Sequence, residues 1–297
     1  MKNTSIIPIA LFACMLFSAC ARTEEEQMLV EAETVQEQKE FATMALATAE
    51  QTERAYPNRK GAVKTGYLDG SFVTYQRIDD ENIMEGDIMI PDDELSASPV
   101  SERTTGISGE RYRWKDKKVY YVINPDLPKK GRVSRAIEHW EKHTDIRFIK
   151  RTTQKNFVYF TKSGGCSSYV GRIGGRQTIK LGPDCSTGNT IHEIGHAIGL
   201  WHEHSRADQK KHIKIHYANV EAGEESNFQT YKQRGYSGFD RGNVMNYGSI
   251  MMYYSNSFAK DPSKPTISRL DGKSYNAQRE GLSGKDIATV RWMYRNQ

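Results

Sequence analysis

Long hydrophobic runs are absent from the 297-residue sequence beyond residue 20, where none approaches the ~20 apolar residues that a membrane-spanning helix needs. Cysteine is scarce, with four residues, but a chain of this length can bury a core without many disulfides. We find no internal repeat. With 37% hydrophobic and 27% charged residues, the composition is that of a soluble globular protein and argues against collagen, a coiled-coil array or a polytopic membrane protein.

The net charge of +5 is distributed unevenly along the chain. Residues 21–104 contain 8 Lys/Arg and 19 Asp/Glu, a net charge of −11, whereas residues 105–297 contain 33 Lys/Arg and 18 Asp/Glu, a net charge of +15. This asymmetry has three interpretations: each part is merely soluble, the basic part binds nucleic acid or an anionic surface, or the acidic segment lies on the basic part. Charge alone does not choose among them.

The first 20 residues have the pattern of a secretory signal. Lys2 is followed by the apolar stretch 6–17, and two small residues precede Cys20. The sequence therefore predicts export. The ending Ala-Cys also resembles a bacterial lipoprotein signal, in which Cys20 becomes the lipidated first residue, and the alternative is ordinary cleavage nearby with full secretion.

Two cysteines remain in the body of the chain once the signal is set aside. Cys166 and Cys185 are expected to pair, because two cysteines in an exported protein usually form a disulfide. Closing a loop of this length stabilises a protein by roughly 3 kcal/mol on the chain-entropy account. The alternative is two free, buried thiols.

The later two thirds of the chain mix strand and helix patterns. Val133, Ile137 and Trp140 recur at the spacing of an amphipathic helix, residues 190–199 have a second helical pattern, and Ser283 can cap a third helix. Short apolar segments predict strands at 119–123, 146–149, 157–160 and 178–181, and residues 72–90 contain short apolar alternation. Because strands and helices do not alternate strictly, we predict an α+β fold.

The strongest chemical signal is the stretch HEIGHAIGLWH at residues 192–202. On a helix, His192 and His196 lie one turn apart on the same face, so both imidazoles can bind one zinc ion. Glu193 lies beside that face, within reach of a water on the metal, and Gly199 can take the positive φ that ends the helix. The returning chain brings up His202 as a third ligand. Three protein ligands leave a coordination position open, which is typical of catalytic zinc.

This stretch resembles the zinc motif of the metzincin metalloproteases, and Glu203 after the third histidine makes it similar to the astacin family in particular. The segment Ser249–Tyr253 resembles the astacin Met-turn. The resemblance implies that Met251 forms an apolar floor beneath the zinc and that Tyr253 is a switchable zinc ligand that also stabilises the transition state. It further implies a metzincin fold over residues 105–297, with a mixed upper sheet, an active-site helix and an irregular lower subdomain.

The sequence departs from the family pattern at several positions. Gln209 stands where the family usually has Arg or Lys, Met252 where many members have His, and Ser167 where an aromatic residue often follows the first loop cysteine. Cysteines for the family's second disulfide are missing. The substrate preference of the family is therefore not carried over.

A second family motif lies in the acidic segment. Residues 84–88, Met-Glu-Gly-Asp-Ile, resemble the astacin pro-segment motif, which implies that the Asp87 carboxylate binds zinc and displaces its water. Gly86 lets the backbone approach the metal closely. The alternative is an ordinary Gly-Asp turn. The family also implies that Glu203 meets the new N-terminus made by processing, which we place near Thr105.

We therefore predict an exported zymogen of a zinc-dependent endopeptidase with one catalytic Zn²⁺. Glu193 would assist the attack of zinc-bound water on a peptide bond, and Asp87 would block the zinc until the segment is removed. The expected partners are protein or peptide substrates, paired by strand addition along residues 166–169, and the pro-segment itself as an intramolecular inhibitor. We expect a monomer that is extracellular or lipid-anchored at the bacterial cell envelope. Its parts are a signal at 1–20, an acidic inhibitory pro-segment at 21–104 and a catalytic domain at 105–297.

Two other classes of protein compete with this interpretation. A zinc-containing binding module that has lost catalysis would have no need for Glu193 as a base. A polyanion-binding protein would explain the basic part of the chain, but the sequence lacks a known nucleic-acid-binding motif and aromatics arranged along a basic groove. We therefore expect no specific nucleic-acid partner.

Overall fold

The computed structural model describes residues 54–68, 70–99, 110–236 and 238–297. The predicted signal, Cys20 and the processing site near Thr105 lie outside these residues. The strands are β1 (Ala62–Leu68), β2 (Ser71–Ile78), β3 (Glu81–Met84), β4 (Ile88–Ile90), β5 (Leu95–Ser96), β6 (Lys118–Ile123), β7 (Arg147–Lys150), β8 (Phe157–Lys162), β9 (Cys166–Ser168), β10 (Arg176–Leu181), β11 (Ile213–Ile215) and β12 (Ile267–Arg269). The α-helices among the described residues are α1 (Gly131–His143), α2 (Thr187–Ile198) and α3 (Gly284–Met293).

Ten of these strands form one mixed sheet in the order β5-β1-β2-β3-β4-β9-β10-β8-β6-β7. The half that contains β6 to β10 is parallel except for β9, which runs antiparallel to β10. The half that contains β1 to β5 is antiparallel throughout. The halves meet where β4 pairs parallel to β9, with Ile88 opposite Ser168. The strand predicted to pair with substrate is therefore flanked on both sides in this form of the chain.

Alternating burial explains how this sheet packs against the helices. On β10, Gln177, Ile179 and Leu181 are buried while the residues between them are partly exposed. Helix α1 buries the predicted apolar stripe, and the indole Nε1 of Trp140 donates to the backbone oxygen of Ile191 at 3.1 Å. A buried aromatic with a satisfied N–H therefore fixes α1 against α2.

Helix α2 begins three residues earlier than the predicted start at residue 190. Ser186 Oγ accepts from the Asn189 backbone N–H at 3.1 Å, and Asn189 Oδ1 accepts from the Ser186 N–H at 2.8 Å. This capping box uses Asn where the usual residue is Glu or Gln, so the signal was missed in the sequence. The helix ends at Gly199, whose φ of 114° lies in the left-handed region that favours glycine.

Helix α3 starts, as predicted, after Ser283, whose side chain accepts from the backbone N–H of Asp286. The Asp286 carboxylate also accepts from the Ile250 N–H at 3.0 Å and from Ser249 Oγ at 2.6 Å. One buried carboxylate thus ties the last helix to the predicted Met-turn. No helix in the described part of the chain is long and apolar enough to cross a membrane.

Two apolar cores lie on either side of the end of α2. The first lies between the sheet, α1 and α2 and includes Trp114, Trp140 and Met251. The second, with Phe228, Tyr253 and Phe258, is built from irregular chain and the two-stranded sheet β11-β12. Cys166 on β9 is joined by a disulfide to Cys185, directly before the cap of α2. The histidine-bearing helix is therefore held from its first turn to its last.

Candidate metal centre

Three histidine side chains converge below the end of α2. His192 Nδ1 lies 2.8 Å from the backbone oxygen of Ile250, and His196 Nδ1 lies 2.9 Å from that of Leu200. A carbonyl oxygen only accepts, so Nδ1 carries a proton in both rings, and in the neutral form of each ring Nε2 keeps its lone pair. His202 follows the turn at Gly199 and completes the group. The three rings are separated by 4.7–5.2 Å between centroids.

Asp87 is the fourth member of this cluster. Its Oδ2 lies 3.1 Å from His192 Nε2 and 3.2 Å from His202 Nε2, while its Oδ1 lies 3.7 Å from His196 Nε2. The four ligand atoms all lie within 4.8 Å of one another, and every one of these residues is buried. Asp87 Oδ1 and His196 Nε2 have no hydrogen-bond partner among the residues that the structure describes. Buried acceptors that face one another without a donor between them fit a cation, and three imidazoles with one carboxylate suit zinc.

The pKa directions agree with a donor set of neutral imidazoles and an ionised carboxylate. Burial lowers the pKa of His192 to about 4. Burial alone would raise the pKa of Asp87. The surrounding imidazoles of His202, His192 and His196 have the larger, opposite effect, so the pKa of Asp87 lies well below its usual range. Neutral histidine and ionised aspartate are the forms that bind metal.

Glu193 and Met251, two further residues to which the motifs assign roles at the metal, are both buried. Glu193 is fully buried on α2 directly after His192. Met251 packs beneath the helix so closely that a Cβ on Gly195 would lie 2.7 Å from its sulfur. The backbone oxygen of Met251 accepts from the Glu203 N–H at 2.9 Å. Met251 thus packs against α2 at Gly195, between His192 and His196.

Tyr253 lies beside the cluster with its ring stacked on His204 at 3.8 Å between centroids. Its hydroxyl donates to the backbone oxygen of Glu85 at 2.6 Å. The hydroxyl that, by the family resemblance, would stabilise the transition state is therefore hydrogen-bonded to the acidic segment in this structure.

Glu85 and Arg234 belong to the site and were not predicted from the sequence. Glu85 Oε2 lies 2.6 Å from His202 Nδ1, and its other oxygen is paired with Arg234. Both side chains are buried, with 1% of each residue exposed. Burial lowers the pKa of Arg234 to about 10, so the guanidinium stays charged at neutral pH. The one sequence feature that could have pointed to Glu85 is its position two residues before Asp87, the predicted inhibitory residue.

Glu203 lies next to a cavity of about 80 Å³ that His202 also lines. Burial raises its pKa to about 7, and its Oε1 accepts from the Asn246 N–H at 2.8 Å. The cavity is also lined by Arg206, Asp240 and Asp286. Glu203 is partly buried, and the three carboxylates of the lining are matched by Arg206, Arg241 and Lys285.

The remaining five histidines do not join the cluster. His204 stacks on Tyr253 and contacts the backbone oxygen of Asn227 at 2.9 Å through Nε2. The other four are His139, His143, His212 and His216. None of these four belongs to a metal-binding group among the residues described.

The fold and the three-histidine site are those of a zinc peptidase, and comparison with protein families leads to the same class. Residues 106–295 match the model of the peptidase family Astacin. The chain therefore belongs to the astacin family of zinc metalloendopeptidases, whose members are mostly secreted. Membership confirms the predicted α+β metzincin fold and the zinc dependence, for which the three-histidine cluster provides one site.

Individual relatives cover the same part of the chain. Human Tolloid-like protein 2 is 37% identical over 207 residues, which cover 67% of this chain and 20% of that protein. Nematocyst expressed protein 6 of Nematostella vectensis is 35% identical over 192 residues, which cover 63% and 66% of the two chains. High choriolytic enzyme 1, a hatching enzyme zinc-protease from the medaka fish Oryzias latipes, superposes with a TM-score of 0.55 at 26% identity over 62% of this chain and 94% of that chain. The first of these relatives is thus much longer than the matched region.

Proposed function

We propose that this chain is the precursor of an exported, zinc-dependent endopeptidase that is kept inactive by its own acidic segment. The observation that carries this proposal is the meeting of three imidazoles with the Asp87 carboxylate in one buried cluster. His192, His196 and His202 would hold the ion, and the substrates would be proteins or peptides bound by a monomer.

The chemistry needs an electrophile, a base and an oxyanion donor. Bound zinc supplies Lewis-acid polarisation of a peptide carbonyl and makes a water molecule more acidic. Glu193, buried beside His192, accepts the proton of the attacking water and passes it to the leaving amine. The Tyr253 hydroxyl, freed from the Glu85 carbonyl, donates to the oxygen that becomes negative in the transition state.

Three features support inhibition by the segment before residue 105. The Asp87 carboxylate lies among the histidine Nε2 atoms, where a substrate carbonyl would have to enter. β4 pairs with β9 and so covers the strand edge that an extended substrate would use. The approach depends on Gly86, since its φ is 78° and a Cβ there would lie 2.6 Å from the Phe258 ring. Removal of this segment would expose the cluster and the strand edge together.

The charge asymmetry of the sequence is consistent with this arrangement. Glu81 on β3 pairs with Lys180 on β10, and Glu85 pairs with Arg234. For the described part of the acidic segment, residues 54–68 and 70–99, these contacts favour the interpretation in which the segment lies on the basic domain.

Export and processing complete the proposal. Residues 1–20 act as the signal, and the chain is released outside the cell or anchored to the envelope through lipid on Cys20. Cleavage near Thr105 creates a new N-terminus, and the cavity beside Glu203 is its proposed binding site. Arg206 lies 3.7 Å from Glu203, yet burial still raises the pKa of this carboxyl to about 7, which fits a group that would be stabilised by a further cation.

Casein digestion tests the proposed activity. We expect the untreated precursor to leave casein intact, and the precursor trimmed by limited trypsin treatment to digest it. A zinc chelator should stop the digestion, and added zinc should restore it. Digestion that persists in chelator would exclude the zinc mechanism. A trimmed, zinc-loaded protein without activity would favour a binding module instead.

Tyr253→Phe should lower kcat of the trimmed enzyme by about 10²-fold, the lower end for the loss of one oxyanion donor. KM should change little, because the hydroxyl contributes mainly in the transition state. Steady-state kinetics on a quenched fluorescent peptide measure both constants. Tyr247→Phe, which removes a hydroxyl bound to the His212 backbone oxygen away from the cluster, serves as the control. A change confined to KM would contradict the assigned role.

A further inference from the structure

The outer hydrogen bonds of the three imidazoles come from different parts of the chain. His192 and His196 are oriented by backbone oxygens of Ile250 and Leu200, which belong to the family-matched region. His202 Nδ1 has a different partner, the Glu85 carboxylate, 2.6 Å away in the acidic segment. A carboxylate on the distal nitrogen of a metal-binding histidine fixes the ring and makes it a better ligand.

Glu85 is held rigidly for this contact. Its second oxygen is paired with Arg234, whose guanidinium also donates to the backbone oxygen of Ser226 at 2.7 Å. Positive φ angles at Glu85 and Gly86, 49° and 78°, turn the chain so that Glu85 and Asp87 reach the same ring from opposite sides. The two carboxylates therefore bracket His202, one at Nδ1 and the other at Nε2.

We infer that Glu85 is a positioning residue for the metal, so that the acidic segment and zinc each strengthen the binding of the other. The inference rests on the proposed function, because it takes His202 as a zinc ligand and the segment as removable. Asp87 alone would only occupy a coordination position. Glu85 adds control over the ligand itself, and removal of the segment withdraws both carboxylates at once.

Thermodynamic linkage makes this coupling reciprocal. If the segment raises the affinity for zinc by some factor, zinc must raise the affinity of the segment by the same factor. The precursor is then the form that retains zinc most firmly, and the trimmed enzyme holds it only through groups of its own domain. A simpler role for Glu85, as an anchor that docks the segment through Arg234, predicts a different set of results.

Zinc affinity of the full-length precursor separates the two roles. All proteins carry Glu193→Gln, so that no self-processing occurs, and zinc is titrated against a chromophoric chelator. Glu85→Gln removes the charge next to His202 with little change of shape. Glu81→Gln is the matched control, because Glu81 also joins the segment to the basic domain, through Lys180, but lies outside the metal-binding cluster. Hydrogen exchange of the β4 amides reports whether the segment stays docked.

We expect Glu85→Gln to weaken zinc binding by about 10- to 100-fold, the usual effect of removing an outer-shell partner. Glu81→Gln should leave the affinity unchanged, and β4 should stay protected in both variants. The same loss should recur in an Asp87→Asn background, and the ¹⁵N signal of His202 Nδ1 should move only when Glu85 is changed. Equal zinc affinity in Glu85→Gln, or a loss that follows the loss of β4 protection, would overturn the inference. A precursor that binds no zinc at all would instead overturn the proposed function.

Discussion

Glu193→Gln in the trimmed enzyme should reduce casein digestion by about 10⁴-fold, the upper end for removal of a general base. The side chain keeps its shape and remains a hydrogen-bonding group, but an amide cannot accept the proton of the attacking water. Zinc content should remain at one ion per chain, because the three imidazoles hold the ion without Glu193 and the backbone contacts that orient His192 and His196 do not involve it. Initial rates and metal analysis on the same preparation measure the two effects.

Glu138→Gln is the matched control for this result, since Glu138 is an exposed carboxylate on α1. It should leave both the rate and the zinc content unchanged. Unaltered turnover in Glu193→Gln would refute its role as the base. A parallel loss of zinc and activity would show that Glu193 maintains the site rather than acting on the water.

Asp87→Ala should convert the latent precursor into one that is active before processing. Removing one partner from a buried charged cluster costs about 3 kcal/mol or more. A free-energy change of that size shifts the equilibrium between docked and released segment roughly 100-fold. Precursor activity on a short fluorescent peptide should therefore rise by about that factor, and self-cleavage should shorten the chain during storage.

Asp93→Ala provides the comparison, because Asp93 is an exposed carboxylate of the same segment. Its precursor should stay latent under the same assay. If Asp87→Ala is equally latent while its trimmed form is fully active, another part of the segment blocks the site. Pairing of β4 with β9 would then be the leading explanation.

The local signals of the chain could be read from the sequence. His192, His196 and Gly199 follow one another at helical spacing, and Ser283 precedes a recognisable helix, so neither inference needs a distant residue. The Asn189 capping partner was missed because Asn is a less common residue at that position. Local patterns therefore located the three helices, with one start wrong by three residues.

The long-range contacts could not be predicted from the sequence. Arg234 is separated from Glu85 by 149 positions, and its loop has no periodicity that would indicate a buried cation. Residues 72–90 contain short apolar alternation, but this pattern gave no sign that β4 would join β9 of the domain and extend its sheet. Such pairings depend on which distant surfaces meet, and a single sequence carries no direct signal for that.

The parallel pairing of β4 with β9 bears on the tendency of the processed protein to self-associate. While the segment is in place, the backbone N–H of Ser168 donates to the Asp87 oxygen at 3.0 Å. If the segment is removed as we propose, that side of β9 would become an exposed sheet edge whose amides could pair with any extended chain, including another copy of the same protein. The proposed activation would then make the protein more prone to self-association while allowing it to bind a peptide, and the precursor would be the form better suited to accumulate.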